Sequence, residues 1–258
     1  MIALVSAKGS PGVTTTALAL TLSSPGRCLL AECDPGGGDI LTGYLQGCLP
    51  AGRGLAPLAV AQLRGRLPEE FDAHLVDLEA PRRQRLVLPG VADPAQATTV
   101  AAVWEPLAAY LRAWPDLDAD DAGSRVVVDC GRLTGAHVGT PLLRHADRVL
   151  LVLRAHLPSV AAAVPAVRAL GEQLADRPSG TLGLLVVEIG PYRPAEVADR
   201  LGVPLVASLP RDDRAAAALS FGGTVRSGAP LLRAAGRVHP RLAAPQVVTA
   251  VPTEVTGV

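Results

Sequence analysis

Lys8-Gly9-Ser10-Pro11-Gly12-Val13-Thr14-Thr15 joins an apolar run at residues 2–5 to the segment Ala17-Leu18-Ala19-Leu20-Thr21-Leu22. The run reads as a β-strand and the segment as a helix. A strand, a glycine-rich turn and a helix that opens on threonine make a cradle for phosphate. Backbone N–H groups converge in such a turn, and the helix N-terminus adds partial positive charge. Phosphate loops of the form G-x-x-x-x-G-K-[ST] carry a lysine that reaches the β- and γ-phosphates. Here Val13 follows Gly12, so that ammonium is missing. Lys8 stands earlier in the turn and is the only lysine of the chain. Its position favours a ligand-facing role over the alternative, a solvated loop side chain.

The 258 residues suit one α/β domain with a substantial core. Residues 1–242 are read as that domain and 243–258, rich in Val, Thr and Pro, as a disordered tail. Hydrophobic residues make up 49% and charged residues 19%, which excludes an unfolded chain. Aromatics are only 3%, so the core must be built from Leu, Val and Ala. A formal net charge of +0 argues against a protein made chiefly to coat nucleic acid. No leader segment is expected, because Met1 runs straight into the first strand, and no apolar run is long enough to span a membrane. The four cysteines, Cys28, Cys33, Cys48 and Cys130, form no C-x-x-C pair. They point to a reduced, cytoplasmic protein in which Cys33 and Cys130 pack as small apolar residues rather than hold an iron–sulfur cluster.

Residues 27–32 read as a second strand. It runs into Glu32-Cys33-Asp34-Pro35-Gly36-Gly37-Gly38-Asp39, where alternation places Glu32 and Asp34 on one side of an extended segment, both near the phosphate loop. Residues 40–76 are read as helical and irregular, 85–90 as a short strand, and 95–114 as a long helix. The acidic run at 116–121 is read as a solvated loop rather than a metal site. Arg125-Val126-Val127-Val128-Asp129 is a buried-type strand that ends on one carboxylate. Strands at 148–153, 182–187 and 205–209 then alternate with helices at 159–175, 195–201 and 212–219. That rhythm, with strands apolar throughout, predicts a doubly wound, mostly parallel sheet of about seven strands with helices on both faces. Its ligand belongs at the carboxyl edge.

The Lys8–Thr15 turn resembles the deviant Walker A motif K-G-G-x-G-K-[ST]-T of the ParA/MinD ATPases, with Ser10 and Val13 as departures. The resemblance extends to Asp34-Pro35, which matches the second half of the family's D-x-D-P, and to the Walker B-like Asp129 strand. The glycine-rich 34–39 loop looks most like the pilus-localisation (TadZ/CpaE-like) branch. The resemblance implies a P-loop NTPase that binds ATP and Mg²⁺ and dimerises around the nucleotides. It assigns Lys8 to the partner subunit's nucleotide, and Gly9, Ser10, Pro11, Gly12, Val13, Thr14 and Thr15 to the phosphates. Thr14 and Asp129 fall to the metal, and Asp34 to the attacking water. Pro210, in Leu209-Pro210-Arg211-Asp212, resembles the family's P-x-D segment beside the base. The family's adenine-reading asparagine has no counterpart, because the chain contains no Asn, and Glu188 stands near that place.

The function implied is a nucleotide-controlled dimeric switch that positions a cellular component through an unidentified protein partner, with slow hydrolysis. The alternative, motivated by Val13, is a scaffold without ATPase activity. A DNA-coating partition ATPase is supported only by Arg226, Arg233, Arg237 and Arg241, which read better as a solvated surface. Pro240 and Pro245 are incompatible with a long terminal membrane-anchoring helix.

Overall fold

The computed structural model describes residues 1–8, 11–48, 52–97, 100–117, 124–133 and 140–243. Gly9 and Ser10 of the expected phosphate loop, most of the acidic run at 116–121, and the tail from residue 244 lie outside the described residues.

The strands are β1 (Ile2–Ser6), β2 (Cys28–Glu32), β3 (Val76–Asp77), β4 (Arg85–Leu88), β5 (Arg125–Arg132), β6 (Arg148–Arg154), β7 (Leu182–Val187) and β8 (Leu205–Leu209). The helices are α1 (Val13–Leu22), α2 (Leu55–Leu63), α3 (Leu67–Glu70), α4 (Trp104–Leu117), α5 (Thr140–His145), α6 (Leu157–Gln173), α7 (Pro194–Leu201), α8 (Asp213–Phe221), α9 (Pro230–Gly236) and α10 (Val238–Ala243). The strands form one eight-stranded sheet in the order β3-β4-β2-β5-β1-β6-β7-β8. All pairs are parallel except the edge pair β3–β4.

Successive residues of a strand face opposite sides of a sheet, and both sides here are covered. Ala3, Val5, Leu29, Ala31, Val126 and Val128 point into a core closed by α2, α4, α5, α6 and α7. Ile2, Leu4, Leu30, Val127, Leu150 and Val152 point into a second core closed by α1, α8, α9 and α10. This two-sided burial is why the central strands are apolar at every position rather than at alternate ones. Helix α1 is itself enclosed: Ala17, Leu18, Ala19 and Leu20 are all buried. His239 of α10, also buried, places Nε2 3.0 Å from the Leu20 carbonyl and ties the C-terminal helices to α1.

The expected sheet of about seven strands has eight, counting the two-residue β3. Two expectations change. The helix expected over 95–114 is a pair of 3₁₀ turns, Pro94–Ala97 and Ala101–Val103, followed by α4, which starts at Trp104 and continues through Pro115. Asp129 does not end its strand: β5 runs three residues further, to Arg132. No helix among the described residues is long and apolar enough to cross a membrane.

Candidate functional site

The turn after β1 and the start of α1 floor a cavity of about 670 Å³ at the carboxyl edge of the sheet. Gly12 sits at the N-cap of α1 with φ 98°, a left-handed conformation that a side chain would strain. Its carbonyl accepts from Thr16 N at 2.8 Å and starts the helix. No side chain caps α1 and no acid lies in its first turn. The N–H groups at its start therefore remain available to an anion. Pro11, Gly12, Val13, Thr14 and Thr15 all line the cavity. The Val13 side chain is nonetheless 6% exposed and belongs to the core that surrounds α1.

Asp129 is fully buried in β5, paired in register with Leu4 of β1 and Glu32 of β2. Its Oδ1 accepts from Gly131 N at 2.9 Å, while Oδ2 has no hydrogen-bond partner. Burial pushes its carboxyl up to about 6, opposed by the Thr14 hydroxyl and the Gly131 amide. Thr14 lines the cavity and its hydroxyl stands beside Asp129, which does not line it; a buried carboxylate next to such a hydroxyl suits a hard cation or its bound water. Thr14 and Asp129 therefore fit Mg²⁺.

Asp34 lines the cavity half-buried, with Oδ1 accepting from Gly36 N at 2.7 Å. Burial raises its carboxyl above the ordinary value, against the Gly36 amide and the nearby Arg132 guanidinium. The carboxylate lies directly over Gly131, where φ is +61° and a Cβ would overlap it. Glu32 does not join Asp34. It is 1% exposed and accepts from Asp39 N at 2.7 Å and Ile40 N at 2.9 Å through Oε1, and from Gly90 N at 2.8 Å through Oε2. The chain bends beyond β2, so alternation fails there, and Glu32 becomes the post around which the 34–40 loop is wound. Burial above all raises its carboxyl to about 7.

At the other end of the cavity, Leu209, Pro210 and Arg211 lead from β8 into α8. Val187 and Ile189 line this end and Glu188 does not; Glu188 accepts instead from the Ser208 hydroxyl at 2.5 Å. Phe221, at the end of α8, lines the cavity while 74% exposed. A π-helical turn, Ile40–Tyr44, packs against α8, and Gln46 Nε2 donates to the Phe221 carbonyl at 3.1 Å. Thr15 and Ser220 hydroxyls meet across the cavity wall at 3.4 Å.

Lys8 is exposed and has no ion pair among the described residues. Cys33 and Cys130 are buried in the core, and burial pushes both thiols up. Arg226, Arg233, Arg237 and Arg241 are exposed, and Arg241 Nη1 donates to the Val206 carbonyl at 3.2 Å. The expected site thus converges apart from Glu32 and Glu188, with Gly9 and Ser10 outside the described residues and Lys8 on the surface. Sequence reasoning passed over Gly131, Arg132 and Arg154. A glycine inside a buried strand was the available signal for the first, because it marks close approach.

No protein-family model and no curated protein matches the chain. Solved structures do. A ParA family ATPase from Chlorobium tepidum TLS superposes with a TM-score of 0.67 at 17% identity, over 93% of this chain and 98% of that one. The MinD cell division protein of Aquifex aeolicus gives 0.68 at 18% identity, over 96% and 98%. The septum site-determining protein MinD of Pyrococcus horikoshii OT3, complexed with Mg-ADP, gives 0.64 at 15% identity, over 94% and 96%. The chain has the fold of the ParA and MinD ATPases along nearly its whole length.

Proposed function

We propose that the chain is an ATP- and Mg²⁺-binding dimeric switch of the ParA/MinD type that positions a cellular component, with slow hydrolysis. One observation carries this reading: uncapped helix amides and the Thr14 hydroxyl meet at one cavity, with the buried Asp129 carboxylate beside that hydroxyl, in a chain with the fold of the MinD complexed with Mg-ADP. The amides at the start of α1 hold the phosphates. Thr14 and, through water, Asp129 hold the cation, which when bound neutralises charge on the β- and γ-phosphates. Asp34 orients a water whose oxygen attacks the γ-phosphorus as the bond to the bridging oxygen breaks. Pro210 lies beside the base. Lys8, exposed just beyond β1, reaches the partner subunit's nucleotide, so dimerisation follows the nucleotide state. Residues 1–242 form one domain and 243–258 the C-terminal tail.

The buried Val13 supports a second reading, a scaffold that no longer turns over nucleotide. Mass measurement of the full chain with Mg²⁺ and ATP, ADP or no nucleotide separates the two. A dimer formed with ATP alone supports the switch. A mass that ignores nucleotide, monomer or dimer, overturns it.

A further inference from the structure

We infer that the cavity holds a purine nucleotide by the faces of its base and not by its edge, with Phe221 as the stacking surface, so that GTP binds as readily as ATP. The inference rests on the nucleotide reading above and extends it to the base. Phe221 is one of two phenylalanines in a chain with 3% aromatic residues. Phe71, the other, is packed in the core, whereas Phe221 stands exposed on the cavity wall. Its backbone is held in place although its side chain is uncovered. The Phe221 carbonyl accepts from Gln46 Nε2 at 3.1 Å, and the preceding Ser220 sets its hydroxyl against Thr15 of α1. The Ser220 carbonyl lies so close to Gly43 that a Cβ there would overlap it. An aromatic side chain on a fixed backbone, open toward a cavity, loses little freedom on binding and offers a π-face to a base. Val187, Ile189, Leu209, Pro210 and Ala216 continue the apolar lining.

The polar side chains described at the β7 and β8 end of the cavity already have partners. Glu188 lies outside the lining and accepts from the Ser208 hydroxyl. Asp212 holds the starts of α8 and α9: Oδ1 accepts from Ala215 N at 3.1 Å and Oδ2 from Leu231 N at 3.2 Å. Arg211 and Asp213 are paired with each other, and Arg154 is engaged as well. Pro210 has no N–H to offer, and the Leu209 carbonyl accepts from Glu188 N at 2.8 Å. Thr42 also lines the cavity, but its hydroxyl can donate or accept. It therefore suits the N6 amine of adenine and the O6 of guanine alike. Strong rejection of the wrong base needs protein groups that the wrong base leaves unpaired. Stacking makes no such demand, because every base presents a π-face.

Calorimetric titration of the full chain with Mg-ADP, Mg-GDP and Mg-pyrophosphate tests this in the wild type, Phe221→Ala and Phe221→Trp. The wild type should bind ADP and GDP within about tenfold of each other, and both more tightly than pyrophosphate. Phe221 is 74% exposed, so its loss leaves the fold intact. Phe221→Ala should weaken both nucleotides by roughly tenfold and change pyrophosphate by less than about threefold. Phe221→Trp should restore both nucleotides, a recovery that requires an aromatic face. A wild type that prefers one purine by more than tenfold, or an alanine variant that binds both nucleotides as the wild type does, overturns this inference and leaves the nucleotide reading standing. A wild type that binds neither nucleotide overturns the nucleotide reading and this inference with it.

Discussion

Gly131→Ala should break the link between the β5 strand and the Asp34 loop, and the structure sets the size of the effect. The substitution places a Cβ on a residue with φ +61° and drives it into the Asp34 carboxylate. The backbone part costs about 1–2 kcal/mol, because an L-residue at positive φ meets its own carbonyl. The carboxylate must also rotate away and give up its 2.7 Å bond from Gly36 N. That bond is solvent-exposed, so its loss belongs at the low end for a charged acceptor, about 1–1.5 kcal/mol. In an Asp34→Ala background only the backbone part remains. Urea melts of the wild type, both single variants and the double should therefore give a coupling energy of about 1 kcal/mol. For a domain of this size that is a difference of about 2–4 °C in midpoint. Hydrolysis, if measurable, should fall in Gly131→Ala as far as in Asp34→Ala. Additivity to within about 0.3–0.5 kcal/mol would show that the two residues do not touch, and the placement of Asp34 would be wrong.

The Glu32 carboxyl, raised to about 7, holds its proton in the native state at pH values where the unfolded chain has lost it. Stability of the ligand-free protein should accordingly fall as pH rises from about 4.5 to about 7, and Glu32→Gln should flatten that slope in denaturant midpoints between pH 5.5 and 8. His239, whose pKa burial lowers, contributes the opposite slope in both proteins, so an unchanged pH dependence in the variant would contradict the role given to Glu32. Val13→Lys should tighten Mg-ATP binding by about tenfold, at the expense of a lower melting temperature because Val13 is 6% exposed; titration calorimetry showing no gain would mean the loop has another shape. Lys8→Ala should abolish the ATP-dependent dimer in mass measurements while monomer binding of ADP stays unchanged, and a mutant dimer of wild-type affinity would remove the trans role of Lys8.

The sheet was legible because parallel strands buried on both faces are continuous apolar runs between turn residues, as at 182–187 and 205–209, where expectation and structure coincide. Strand β3 was not legible: Val76–Asp77 is too short to show a period and is defined by its antiparallel partner β4. The helix at 95–114 was placed early because apolar residues continue ahead of α4, where Val100 and Val103 pack into the same core. In the site, the glycine-rich turn carried its own physical reading, and the Asp129 strand did so in combination with it. Glu32 was misread because a two-residue period holds only while the chain stays extended, and here the amides of Asp39, Ile40 and Gly90 fold back onto the carboxylate. Arg132 and Arg154 carry no local signal at all, since only the strand order brings the ends of β5 and β6 to either side of β1.

A crystal structure of the full chain grown with Mg²⁺ and a non-hydrolysable ATP analogue tests the central claim most directly. The account predicts phosphates on the amides that follow Gly12, the cation between Thr14 and the water shell of Asp129, and the base beside Pro210. A cavity left without nucleotide under saturating analogue, or phosphates bound away from the start of α1, would contradict it.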